Sequence, residues 1–132
     1  MRRVARVLLL AVVLAFAGCS LFGSHHVQVA RITSISAPDT AFVDSTFLTT
    51  VTAMLGPDSG YVLERIEFSH SADTDLTVRI WSRDTASVRP VSSIAAYFVL
   101  NADIKPTQPG KFLVIGSQPD GSTLEKTITV LP

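Results

Sequence analysis

From residue 27 to the end of the chain, apolar and polar residues alternate in short stretches, a pattern that predicts β-strands. In the stretch 75–83, Leu76, Val78 and Ile80 share one parity. In the stretch 46–55 the shared parity is that of Phe47, Thr49, Val51, Ala53 and Leu55. Side chains in a strand point alternately to opposite faces, so each apolar set marks an inward face. Seven strands are predicted in this way, at residues 27–36, 46–55, 61–70, 75–83, 91–100, 111–117 and 123–131.

The stretches between these strands carry turn residues. "GPDSG" at 56–60 and "PDGS" at 119–122 supply proline, which fixes φ, and glycine, which accepts positive φ. The stretch 101–110, "NADIKPTQPG", has two prolines and is predicted to be a loop that crosses between sheets. Seven short strands at roughly ten-residue spacing predict an all-β fold, a seven-stranded antiparallel β-sandwich.

The first nineteen residues follow a different pattern. Three arginines within the first six residues precede an apolar run at 7–17, and Gly18 and Cys19 follow it. A membrane-spanning helix needs about 20 residues, so this run is too short to be one. It also has no polar face with which a buried helix could meet solvent. A basic start, a short apolar run and small residues before a cleavage site indicate a secretory signal peptide.

"FAGC" at 16–19 resembles the lipobox of bacterial lipoproteins, in which small residues such as Ala17 and Gly18 precede a lipidated cysteine. The resemblance implies cleavage before Cys19 and a diacyl or triacyl anchor of palmitate type on Cys19. Ser20, in place of aspartate, resembles the choice that sorts lipoproteins to the outer membrane, facing the periplasm or the cell surface. Several acyl chains anchor a protein stably, whereas one binds marginally. Membrane lipid is therefore an expected partner through Cys19.

Three regions are predicted: a signal peptide at 1–18, the lipidated cysteine with its tether at 19–27, and one domain at 28–132. The tether contains His25 and His26, which have no carboxylate or thiol beside them and make a poor metal site. Beyond the signal peptide, eight basic residues face eleven acidic ones and are scattered, which excludes a nucleic-acid partner. Cys19 is the only cysteine, so no intramolecular disulfide forms.

Two stretches of the domain resemble an immunoglobulin-like or fibronectin-III-like domain of bacterial surface proteins: "ISAPDTAFVDSTFLTTVTA" at 35–53 and "PTQPGKFLVIGSQPDGSTLEKTITV" at 106–130. The resemblance covers nearly all of the chain after the signal peptide and implies an immunoglobulin-like sandwich. The closing pattern is carried by Pro109, Gly110, Phe112, Val114, Asp120, Gly121 and Val130.

The best candidate for metal chemistry is "HSADTD", where His70, Asp73 and Asp75 fall within six residues. Zinc needs a further ligand, and calcium loops use more oxygens and a glycine. A polar turn held by local hydrogen bonds is the alternative interpretation of this stretch. No Gly-x-Ser-x-Gly motif or phosphate-binding glycine loop occurs. The sequence therefore predicts no enzyme activity and no cofactor.

A candidate protein-binding patch lies on the predicted outward face of strand 75–83, where Trp81 stands between Arg79 and Arg83. Aromatic residues and arginine are enriched where proteins bind each other. The alternative is that Trp81 covers the core at a sheet edge. On the neighbouring strand, Tyr61 and Leu63 are predicted on the outward face with Arg65. The inward face of that strand is predicted to carry Val62, Ile66 and Phe68.

Together these observations predict a lipid-anchored envelope protein whose β-sandwich serves as a non-catalytic binding or scaffolding module. Two alternatives stay open. One is a periplasmic carrier of a metal or small ligand that uses His70, Asp73 and Asp75. The other is an accessory lipoprotein that docks on an envelope enzyme or glycan through the Trp81 face.

Overall fold

The computed structural model describes residues 26–85 and 92–132. Within them all regular structure is β-strand, so the prediction of an all-β fold is confirmed. The predicted signal peptide, Cys19 and most of the predicted tether lie outside the described residues, and no described helix could span a membrane. The strands are β1 (Val27–Val29), β2 (Arg31–Ser36), β3 (Thr40–Phe42), β4 (Phe47–Gly56), β5 (Tyr61–Ser69), β6 (Asp75–Asp84), β7 (Ala96–Ile104), β8 (Gly110–Ser117) and β9 (Thr123–Leu131).

The strands form two sheets that pack face to face as a β-sandwich. The larger sheet has six strands. Both β1 and β8 pair with one side of β6, β1 at residues 81–83 and β8 at residues 75–78, and β5 pairs with the opposite side of β6. Beyond β8 follow β9 and then β3. The smaller sheet has three strands in the order β2-β4-β7. Alternation decides which side chains enter the core: every second residue of β4, beginning with Phe47, is buried. The predicted inward faces of β4 and β6 are confirmed.

The core lies between the two sheets and is built mainly from β-branched side chains. Ile32 and Val51 of the smaller sheet meet Ile80, Val114 and Ile128 of the larger one, and each of the five is at most 2% exposed. Burial of such a side chain contributes roughly 1.5–3 kcal/mol, so these residues supply a large share of the stability. The rings of Phe47 and Phe112 close one end of the core edge to face, with centroids 6.2 Å apart.

The predicted number of strands is wrong, since the described residues form nine strands. Stretch 27–36 divides at the buried Ala30, because its first half pairs with β6 and its second half with β4 in the opposite sheet. The short strand β3 had no counterpart in the prediction. A uniformly antiparallel arrangement is also wrong, since β3 pairs with β9, and β6 with β8, in parallel.

The predicted loop at 101–110 is wrong over its first four residues. β7 continues through "NADI", where Thr49 pairs with Ala102 and Phe47 with Ile104. Asn101 and Asp103 are exposed and Ala102 and Ile104 point inward, so the alternation of a half-buried strand is kept. The polar residues that indicated a loop occupy the outer face of a strand.

The two long edges of the sandwich differ. On one side the chain crosses from β2 in the smaller sheet to β3 in the larger one and closes the edge. The side chain of Ile32 in β2 lies directly over Gly116 of β8, where a Cβ atom would come within 2.7 Å of Ile32 Cδ1. On the other side β5 and β7 each have one partner strand among the described residues, β6 and β4. We call this side the open edge.

Candidate binding cleft at the open edge

At one end of the open edge, hydrogen bonds join the two sheets, whereas at the other end the sheets are separated by a cleft. Near the starts of β5 and β7, the Ser92 backbone N–H donates to Ser59 Oγ at 2.7 Å. The Ser59 N–H donates in return to the Ser92 carbonyl at 3.1 Å. Near the ends of the same strands, a cleft of about 540 Å³ opens between the two sheets.

The cleft has an apolar floor. Leu76, Ile104 and Phe112 line it and belong to the buried core. Phe68 forms a wall and is 51% exposed although it lies on the inward face, opposite Val78. Phe68 is exposed because no described strand of the smaller sheet continues beyond β7 to cover it. The cleft is thus a part of the sandwich interior that solvent reaches.

Polar side chains surround the mouth of the cleft. They come from the loop after β5 and from the end of β7 with the loop that follows: His70, Asp73, Asp103, Lys105 and Thr107. An apolar floor with a few polar groups at the mouth is typical of sites that bind small molecules or single side chains. The arrangement can bury an apolar group of a ligand and leave its polar end at the rim.

The loop that carries His70, Asp73 and Asp75 uses its polar groups to hold its own shape. The carboxylate of Asp75 accepts from the Ser71 backbone N–H at 2.8 Å and also from the Ser71 hydroxyl. These two bonds, the hydroxyl first, lower the pKa of Asp75. His70 Nδ1 lies 2.5 Å from the Asp75 carbonyl oxygen.

The structure therefore places His70 and Asp73 at the mouth of the cleft, while the Asp75 carboxylate is buried in the turn. In the part of the chain that is described, no three His, Cys, Asp or Glu side chains come together as metal ligands would. The local hydrogen bonds agree with the polar-turn interpretation of this stretch.

The Trp81 face lies on the outer surface of the larger sheet and is covered by side chains of β5. The Arg65 guanidinium stacks on the indole of Trp81, with Cζ 4.3 Å from the ring centroid. Glu67 pairs with Arg65 at 3.0 Å and with Arg79 at 3.9 Å. Arg79, Trp81 and Arg83 do share one face, but this face offers little uncovered aromatic surface.

The charges of this face are also paired within the domain. The indole N–H of Trp81 and then the Arg65 side chain lower the pKa of the Glu67 carboxyl. The indole N–H is buried and has no hydrogen-bond partner of ordinary geometry. Arg83 Nε lies 3.3 Å from Glu64 Oε2.

The predicted extension of this patch through Tyr61 and Leu63 is wrong, and so is the inward assignment of Val62, which lies opposite Arg83 on the outer face. A bulge between Leu63 and Arg65 inserts one extra residue into β5. Odd-numbered residues therefore point inward before the bulge, and even-numbered residues point inward after it. Tyr61 and Leu63 consequently pack against the core. The bulge also brings Glu64 to the face that holds Glu67, whereas strict alternation separates the two carboxylates.

The sequence did not predict the cleft. Strand alternation assigned Phe68 to the inward face, which is confirmed, but alternation does not reveal whether another strand covers an inward residue. One signal was present at β7. In "AAYFVL" at 95–100 apolar residues occupy both parities, which departs from the polar outer face of an ordinary surface strand. Tyr97 and Val99 on the outer face are accordingly 59% and 53% exposed.

Comparison of the chain with protein-family models, with curated proteins and with solved structures finds no match.

Proposed function

We propose that this chain is a lipid-anchored protein of the bacterial envelope, attached through Cys19 to the outer membrane. Its β-sandwich serves there as a non-catalytic module that binds or scaffolds another molecule at the open edge. The observation that carries this proposal is the apolar cleft, with Phe68 half exposed on an inward face.

The position of the cleft relative to the tether supports the proposal. Val27, the first residue of β1, lies opposite Arg83 near the end of β6. The cleft is lined by Leu76 at the start of β6. At about 3.3 Å per residue these two points are roughly 20 Å apart. The tether to Cys19 would therefore join the domain at the end opposite the cleft, so that it does not obstruct the cleft.

An immunoglobulin-like architecture is part of the proposal. Its support is the two-sheet sandwich together with the resemblance of stretches 35–53 and 106–130 to such domains. The parallel pairs β3–β9 and β6–β8 would make the chain a variant of that architecture.

The open edge supports binding better than the two alternative sites do. A metal carrier built on His70, Asp73 and Asp75 would have to take the Asp75 carboxylate from its bonds with Ser71. An accessory protein that docks through the Trp81 face would have to displace Arg65 from the indole. Neither obstacle applies to Phe68, whose ring is already exposed.

The anchor is tested on protein extracted from membranes. Mass spectrometry is expected to find a mature chain that begins at Cys19 and carries acyl chains. A Cys19→Ser variant, expressed beside it, should lack the acyl mass. An intact residue 1–18 segment, or an unmodified Cys19 in the wild-type protein, would reject the anchor.

Access to the cleft is tested with an apolar dye whose fluorescence rises in apolar surroundings. In dilute solution the wild-type protein should bind the dye, and Phe68→Ser should reduce the signal. Phe42→Ser is the matched control, since Phe42 is 55% exposed but lies on β3, away from the cleft. Equal loss in both variants would show that the dye reports exposed rings in general, and would remove the cleft as the binding site.

A further inference from the structure

We propose that the partner at the open edge is a second copy of this chain, whose β7 pairs antiparallel with the β7 of the first copy. This inference rests on the proposed function in one respect, namely that the open edge is the binding site. It adds the identity of the partner and the register of the contact.

Of the two strands at the open edge, β7 is the one suited to pairing. Natural proteins protect free edges with charged side chains and bulges. β5 has both, since Glu64, Arg65 and Glu67 lie around its bulge. β7 has no charged residue from Ala96 to Ala102. Its free edge is therefore a long, regular and uncharged template for another strand.

A symmetric pairing of β7 with itself has a restricted set of registers. Two-fold symmetry places the same surface of each copy against the other. Residues that lie directly opposite each other must then be on the same face of the sheet. Because side chains alternate between faces, the axis must pass between two copies of the same residue. The register in which all nine residues of both strands overlap places Leu100 opposite Leu100 of the second copy.

The side chains of β7 are complementary in this register. On the inward face, Phe98 lies opposite the second copy's Ala102, and Ala96 lies opposite its Ile104, so that each large side chain meets a small one. On the outward face, Tyr97 lies opposite Asp103, and Val99 opposite Asn101. Asp103 is the only charged residue of β7, and it lies opposite the second copy's Tyr97 rather than the second copy's Asp103. Like charges are therefore not opposed.

The same contact would cover both clefts. Pairing of the two β7 strands joins the smaller sheets of both copies into one continuous sheet. Because the two-fold axis is perpendicular to this sheet, both larger sheets lie on the same side of the continuous sheet. Ile94, which is 74% exposed, precedes β7 by two residues. The register brings Ile94 beyond the second copy's Ile104, to the end of the sandwich where that copy's cleft opens. One interaction therefore accounts for the uncharged edge, the exposed Ile94 and the uncovered Phe68.

The register is tested by disulfide trapping of the full chain in membranes, with two differently tagged variants expressed together, each of which has one cysteine in addition to Cys19. Val99→Cys and Asn101→Cys are predicted to be directly opposite, with Cα atoms about 4.5–5.5 Å apart. This lies within the range of a disulfide, about 4.4–6.8 Å. The mixture should give a species of twice the chain mass that contains both tags.

Each variant alone should give little of this species, because the diagonal neighbours on paired strands lie about 7–8 Å apart. Wild-type protein controls for pairing through Cys19. The matched control for exposure is Leu48→Cys mixed with Val99→Cys, since Leu48 is 55% exposed on the outer face of β4, inside the sheet.

Absence of the mixed species from variants that fold normally by circular dichroism would overturn the inference. Equal trapping with Leu48→Cys, or efficient trapping of Val99→Cys with itself, would overturn it as well. A chain that is acylated at Cys19 and binds dye through Phe68 but is not trapped would leave the proposed function in place and remove only the second copy as its partner.

Discussion

Asp75 shows how an apparent metal ligand acts as a structural residue. Its carboxylate is buried and accepts two hydrogen bonds from Ser71, which together lower its pKa. A carboxyl with a lowered folded-state pKa stabilises the fold above its unfolded-state pKa, here about 3.8. This stabilisation is lost as the pH falls through the folded-state value.

Asp75→Asn is therefore expected to lower the urea midpoint at pH 7, because the new amide nitrogen cannot accept from Ser71. The difference from wild type should shrink as the pH falls below about 3.8. It should disappear once the Asp75 carboxyl is protonated in both the folded and the unfolded protein. Asp73→Asn, at the exposed rim of the same loop, is the control and should change the midpoint little. A constant difference from pH 7 to pH 2 would contradict the role assigned to the ionised carboxylate.

Thr49 carries a polar group that the core does not satisfy. Its side chain is 1% exposed and its hydroxyl has no hydrogen-bond partner. Thr49→Val is expected to raise the free energy of unfolding by about 1 kcal/mol, because burial of an unpaired hydroxyl is unfavourable. Thr50→Val is the control: that hydroxyl donates to Asn101 at the surface, so its removal should bring no gain. Denaturant unfolding measures both, and a destabilised Thr49→Val would show that the hydroxyl has a partner in solution.

The strands show which parts of the fold a sequence pattern can predict. Alternation predicted the inward faces of β4 and β6 because both strands keep their period along the residues that enter the core. It failed for the first half of β5, since a bulge depends on pairing with β6 and leaves no mark in the hydrophobic pattern of β5 itself. It also missed β3, whose three residues are too few to show a period.

The bulge in β5 makes a prediction that separates the observed faces from strict alternation. Leu63 packs against the core, whereas Val62 lies opposite Arg83 on the outer face. Leu63→Gln is expected to cost about 2–3 kcal/mol of unfolding free energy through lost packing and a buried amide. Val62→Gln should cost less than about 0.5–1 kcal/mol, as surface substitutions usually do. The reverse order in denaturant unfolding would place the bulge elsewhere in the strand.

For the molecule as a whole, the pattern predicted two packed sheets but not which edge stays open. The closed edge depends on the crossing from β2 to β3, and the open edge on the absence of a described strand beyond β7. Both are properties of topology, which each strand's sequence does not contain. The cleft follows from topology in the same way, because Phe112 and Phe68 both point inward, yet one is 5% and the other 51% exposed.

If a second copy covers the open edge, the stability of the whole domain must depend on protein concentration. A partner that binds only the folded state raises the unfolding midpoint by mass action. The midpoint of the wild-type chain in detergent is therefore expected to rise over a hundredfold increase in concentration. Ala102→Lys should abolish this rise, because it places a charge opposite the second copy's Phe98, while in the single copy the charge reaches solvent through the cleft. Leu48→Lys, on the outer face of β4, should keep the rise. If the unfolding midpoint of the wild-type chain does not change with protein concentration, a second copy does not cover the open edge.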